Sequence, residues 1–167
     1  MSERGPIVNL ESVPLDKNIA PDRESGFASR SAAIGAALGT EKLGCRLLVV
    51  PPGKAAYPYH LHHAHEELFV VLAGEGTLRY AGERYTIGPG DVISAKAGAE
   101  HPHQIVNTSE DELRYLAIST MEQPEVCEYP DSGKVAAIAG APPGRRPYPL
   151  FFIARKADGV DYWDGEE

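Results

Sequence analysis

All six histidines of the 167-residue chain fall between positions 60 and 103, in two clusters: His60, His62, His63 and His65, then His101 and His103. On a strand, side chains alternate between faces, so the two imidazoles of His60-Leu61-His62 point the same way and can grip one ion together. Glu67 follows after a four-residue gap, where an apolar run begins, and His103 opens a later run. Three imidazoles and one carboxylate form a mixed nitrogen and oxygen donor set, suited to a divalent transition metal such as Zn, Mn, Fe, Ni, Co or Cu. A metal that prefers five or six ligands keeps positions open for water or substrate, and open positions are where metal sites do chemistry.

The expected ligands are therefore His60, His62, Glu67 and His103, with His101 in reserve for the last place. His103-Gln-Ile-Val-Asn107 runs unbroken into a strand, whereas Pro102 is a poor strand-interior residue, which favours His103 over His101. His63 has the opposite strand parity and His65 sits in a turn, so both read as solvated groups or as supports behind the ligands. Glu66 is expected to face outward by the same alternation. Cys45 and Cys127 lack CxxC spacing and read as small packed groups in a reducing compartment.

These side chains need strands to hold them, and the chain supplies strand signals from Cys45 onward. Arg46-Leu-Leu-Val-Val50 stops at Pro51-Pro52-Gly53, and Glu67-Leu-Phe-Val-Val-Leu72 closes at Ala73-Gly74. Thr77–Tyr80 and Arg84–Ile87 flank Ala81-Gly82-Glu83 as a hairpin. Val92–Ala95, Gln104–Asn107 and Leu113–Ser119 follow, and Val135–Ile138 reads as a further strand. Strands broken by turn residues with no helix between them predict an all-β sandwich or single antiparallel β-barrel. Before this core, residues 1–40 read as an extension: Pro6–Leu15 as a short extended piece, Ala28–Leu38 as small-residue-rich and faintly helical. The barrel core is expected over 41–125, and residues 126–167 are expected to pack on it as a C-terminal extension.

Composition narrows the functional classes. The formal charge is −8, against nucleic-acid binding through clustered Lys and Arg. The longest unbroken apolar stretch, Leu68–Ala73, is far short of the about twenty residues of a membrane-spanning helix. The N-terminus lacks the basic-then-apolar pattern of a secretion signal, so a cytoplasmic protein is expected. No GxGxxG or GxxxxGK[ST] pattern is present, and no serine has a hydrolase triad around it.

The motifs resemble those of the cupins. Their first pattern, G-x5-H-x-H-x(3–4)-E-x6-G, is met by Gly53, His60, His62, Glu67 and Gly74, with one extra residue in the first gap. Their second, G-x5-P-x-G-x2-H-x3-N, is met by Gly90, Lys96 in place of Pro, Gly98 and Asn107, with His101 fitting the spacing from Gly98 and His103 the spacing to Asn107. The resemblance covers residues 45 to 119 and implies a small jelly-roll β-barrel, one metal in its mouth and a homodimer. Glu128-Tyr-Pro-Asp-Ser-Gly-Lys134 and the Tyr-Trp-Asp-Gly-Glu ending are more loosely similar to short bacterial cupins, some of them named sugar-phosphate isomerases by analogy.

The expectation is a small metalloenzyme taking a small-molecule substrate, isomerase in type, with sugar phosphates as one candidate class. For its proton-moving group, Tyr59 or a free histidine such as His101 serves better than a liganding Glu67. Tyr57, Tyr59, Arg79, Lys54, Lys96, Gln104 and the pair Arg145-Arg146 are candidate substrate contacts. A metal-dependent oxygenase or decarboxylase and a non-catalytic binding cupin are the alternatives.

Overall fold

A computed structural model describes residues 5–19, 26–140 and 149–166 of the chain, with only the backbone described for 17–19. Thirteen strands make up nearly all of its regular structure: β1 (Asp16–Ile19), β2 (Ala28–Ala33), β3 (Leu43–Val50), β4 (Leu61–His62), β5 (Glu67–Ala73), β6 (Gly76–Tyr80), β7 (Glu83–Ile87), β8 (Val92–Ala95), β9 (His103–Val106), β10 (Leu113–Thr120), β11 (Glu125–Tyr129), β12 (Lys134–Ala139) and β13 (Leu150–Arg155). One face is a six-stranded sheet ordered β1-β2-β3-β10-β5-β8. The other is built from β7-β6-β9 and β13-β12-β11-β4, which meet at an antiparallel bridge between His60 and His103. Every strand pair is antiparallel, so the fold is all-β as the turn spacing predicts, with the jelly-roll arrangement that the motif resemblance implies.

Leu48 and Val50 of β3, Phe69 and Val71 of β5, Leu78, Ile87, Ile105, Leu113 and Tyr115 fill the space between the sheets. The alternate residue Leu47 is equally buried, because Ala32, Ile34 and the N-terminal residues Val8, Leu10, Val13 and Leu15 cover the sheet's outer side. This explains why Leu47-Leu-Val-Val50 does not alternate: the strand is buried on both faces. Segments outside 41–125 thus add strands and a second small core to the barrel. Ala28–Leu38, expected as faintly helical, is instead strand β2 followed by a five-residue helix α1 (Ile34–Leu38) that ends on Gly39 at φ 73°. Its alternating buried residues suit a strand between β1 and β3, and that pairing overrides the helix preference of its alanines.

Two motif residues hold the barrel rather than the site. Gly74 has φ 76°, and a Cβ there would lie 2.3 Å from the Glu112 carbonyl oxygen, beside the irregularity where β10 shifts register on β5. Asn107 is fully buried; its Nδ2 donates to the carbonyls of Val50 (2.8 Å) and Asp111 (2.7 Å), and its Oδ1 accepts from the Ser109 N–H and hydroxyl. The hairpin turn read at Ala81-Gly82 is present, both residues having positive φ as a two-residue primed turn requires.

Candidate metal centre

His60, His62, Glu67 and His103 each offer one ligand atom, and these four atoms lie within 4.8 Å of one another. They come from neighbouring elements: His60 precedes the short strand β4 and His62 ends it, Glu67 opens β5, and His103 opens β9, facing His60 across the bridge. His103 is almost fully buried, and Glu67 Oε2 lies 2.9 Å from His103 Nε2 and 3.4 Å from His62 Nε2.

Each ring is turned by a partner on its Nδ1 side. His60 Nδ1 lies 2.8 Å from the Pro58 carbonyl, and His103 Nδ1 lies 3.1 Å from the His101 carbonyl. A carbonyl only accepts, so each Nδ1 carries the proton and each Nε2 is directed at the cluster. The device is the same in both: a carbonyl two residues upstream. His62 Nδ1 faces Glu125 Oε1 at 3.4 Å and Cys127 Sγ at 3.3 Å. Three Nε2 atoms and a carboxylate oxygen directed at one point form a cluster that could hold a metal ion, with backing carbonyls and a carboxylate of the kind that orient such groups.

The charges are strongly coupled. Burial, then the neighbouring His103 and His62, push His60 down to about 4, so it is neutral at pH 7. Burial also opposes charge on His62, but hydrogen bonding to Cys127, Glu125 and Glu67 outweighs it and pushes this imidazole up to about 12. For Glu67, burial works against the carboxylate and is overcome by His103 and His62, which hold it well below the usual range. Without an ion, His62 is thus the group that carries the compensating proton.

The cluster opens into a cavity of about 300 Å³ whose wall includes Arg46, Tyr57, Phe69, Cys127 and Tyr129. Tyr59 and His101 do not join it. The Tyr59 hydroxyl accepts from the Gly82 N–H at 3.2 Å with the Arg79 guanidinium 3.6 Å over its ring, and His101 Nδ1 meets the Tyr80 hydroxyl at 3.0 Å. His101 enters the site only through its carbonyl. Of the other substrate candidates, Tyr57 lines the cavity, Gln104 donates to the Tyr57 carbonyl, Arg79 pairs with Asp131 and Lys96 is exposed; Arg145 and Arg146 lie outside the described residues.

Three site residues escaped the reading of the sequence. Glu125 is 1% exposed and accepts backbone N–H bonds from His63, Ala64 and His65, fixing the turn that follows His62. It forms a second convergent group with His62 and His65, whose Nε2 also bonds the Glu122 carbonyl. Cys127, expected as a small packed residue, is buried but borders His62 directly. Arg46 had a legible signal: it shares strand parity with the core residues Leu48 and Val50, so its side chain had to enter the barrel.

Residues 46–119 match the Cupin domain family model. A curated relative, the oxalate-binding protein of Thermotoga maritima, is 33% identical over 69 residues, 41% of this chain, and the match spans about half (54%) of that relative's length. Among solved structures, one named "Putative sugar phosphate isomerase" from Acidithiobacillus ferrooxidans is similar over 96% of this chain and 98% of its own, with 26% identity and a TM-score of 0.79. A sugar phosphate isomerase of the cupin superfamily from Silicibacter pomeroyi, 23% identical, shares the fold over 95% of this chain and 98% of its own, with a TM-score of 0.78. The segment that carries both motifs therefore matches the cupin domain, and the barrel around it has the cupin jelly-roll fold.

Proposed function

We propose that this protein is a metal-dependent enzyme acting on a small hydroxy-carbonyl metabolite, isomerase in type. His60, His62, Glu67 and His103 would hold one divalent transition metal. The observation that carries the reading is that these four ligand atoms converge within 4.8 Å at a cavity of about 300 Å³, large enough for a small metabolite. The metal, when bound, supplies a Lewis acid for paired oxygens of the substrate. The protein orients and encloses. Glu125 and the carbonyls of Pro58 and His101 keep the imidazoles directed inward. Phe69, Met121 and Ile138 make much of the wall apolar, which limits water around the reacting carbons. Tyr129, whose hydroxyl burial pushes up, keeps its proton at neutral pH and can donate a hydrogen bond to a substrate oxygen.

The experiment is hydrogen exchange. Protein loaded with Mn(II), Zn(II), Fe(II) or Co(II) is incubated in D2O with a panel of sugar phosphates and hydroxy-ketones, and loss of the carbon-bound proton is followed by NMR. Exchange at the hydroxyl-bearing carbon next to the carbonyl is expected with at least one metal–substrate pair; none across the panel rejects the isomerase reading. The similarity of the motif-bearing segment to an oxalate-binding protein supports a second reading, in which the same site binds or decarboxylates a small carboxylate. Oxygen uptake or CO2 release with Mn(II)- or Fe(II)-loaded protein and dicarboxylates distinguishes it.

A further inference from the structure

The barrel interior contains one guanidinium that the metal-centred reading leaves without a role. Arg46 points inward from β3 and lines the cavity together with His60, His62 and Glu67. Its hydrogen bond is from Nη1 to the Ser31 hydroxyl, 3.0 Å away, and Ser31 is itself buried. Among the described residues no carboxylate stands within ion-pair distance of it, in contrast to Arg30, Arg79 and Arg114, which each have one. A guanidinium has five N–H donors in a planar fork, and a neutral hydroxyl satisfies one of them. A half-buried cation beside Phe69 and Ala36 has its charge uncompensated by the protein.

The sheet register places this cation relative to the cluster. Arg46 pairs with Ala117, which pairs with Phe69; Gly44 pairs with Ser119, which pairs with Glu67. Arg46 therefore stands two strands across and two residues along from Glu67, a Cα separation of about 12 Å, with its Nη1 held by Ser31 of β2, on the other side of β3 from Glu67. Around the path between them stand Gly44, Ala117, Ser119 and Phe69, with the Met121 thioether lying over Gly44 and against the Ser119 hydroxyl.

We propose that Arg46 is the anchor for an oxyanion on the molecule the cavity takes, a carboxylate or a phosphate, carried a few carbons from the oxygens that meet the metal cluster. The proposal deepens the metal-centred reading and rests on it for the orientation of the substrate, but the anion subsite itself stands on the residues of β3 and β10. A planar fork facing open space makes two parallel bonds to a carboxylate or phosphate, which a lysine at this position does not. Sugar phosphates and small carboxylic acids both carry the required group, and the test separates them.

Inorganic phosphate and, separately, oxalate are titrated by calorimetry into wild type, Arg46→Gln and Arg46→Lys, each metal-free and each loaded with Co(II), after Co(II) stoichiometry has been measured for all three. The expected result is unchanged Co(II) uptake, with anion affinity lower by about tenfold or more in Arg46→Gln and by an intermediate factor in Arg46→Lys. Loss confined to phosphate supports a phosphate ester as ligand, and loss confined to oxalate supports a carboxylate. Equal affinity in wild type and both variants, or binding of neither anion to wild type, overturns the role of Arg46. Failure of wild type to take up Co(II) rejects the metal reading instead, and the metal-free titrations then still judge Arg46. Should Arg46→Gln not fold, Arg46→Lys against wild type carries the comparison.

Discussion

At the scale of single residues, the site is defined by where three imidazole Nε2 atoms point, and each direction has a cause two residues or one strand away. Because His62 holds a proton up to about 12 without an ion, metal uptake must displace it. Calorimetry in buffers of different ionisation enthalpy is expected to show about one proton released per metal ion at pH 7, and the apparent affinity should rise about tenfold per pH unit from 6.5 upward. Release of no proton would mean that His62 is not a ligand. Glu125→Gln is expected to weaken metal binding by about 10- to 100-fold, because His62 loses its charged partner; unchanged affinity would make Glu125 a turn residue only. The convergence of His60, His62 and Glu67 was legible from i, i+2 parity and a short gap. Glu125 and Cys127 were not, because their neighbourhood with His62 arises from the pairing of β11 with β4, and no local pattern encodes a partner more than sixty positions away.

Among the elements, the second motif separates into a site end and a structural end. His103 opens β9 into the cluster, whereas Asn107 closes it by tying the chain to Val50 and Asp111. Asn107→Ala strips donors from two carbonyls and an acceptor from Ser109, and is expected to cost about 3 kcal/mol in urea denaturation without lowering metal stoichiometry. Gly74→Ala is expected to cost about 2 kcal/mol or more, since it combines positive φ with a backbone clash. A loss below 0.5 kcal/mol in either variant would mean the backbone relaxes around it. Strands with clear turn boundaries, such as Glu67–Leu72 and Val92–Ala95, were readable in the sequence. Ala28–Ala33 was not: alanine and serine carry little hydrophobic period, and the segment becomes a strand because the edge of β3 is there to pair with.

For the whole molecule, the buried charges set opposing trends with pH. Glu67 and Glu125 sit below the ordinary carboxylate value of 4.5, so their contribution is present above it and is lost as pH falls through their folded values. His60, lowered from 6.5 to about 4, adds nothing above pH 6.5 and becomes a growing penalty as pH falls toward 4. His62, raised from 6.5 to about 12, stabilises fully below 6.5, and that contribution is lost as pH rises toward 12. Metal-free protein is therefore expected to melt highest near pH 6.5, and a melting temperature that climbs steadily to pH 9 would contradict these assignments.

The central claim is that distant segments of one barrel converge on a single ion. Elemental analysis of wild type and His60→Ala, each saturated with Mn(II), Zn(II), Fe(II) or Co(II) in turn and then dialysed, tests it most directly. One equivalent of at least one of these metals per wild-type chain, with retention strongly reduced in His60→Ala, is the result expected; wild-type protein that keeps none of them after saturation would contradict it.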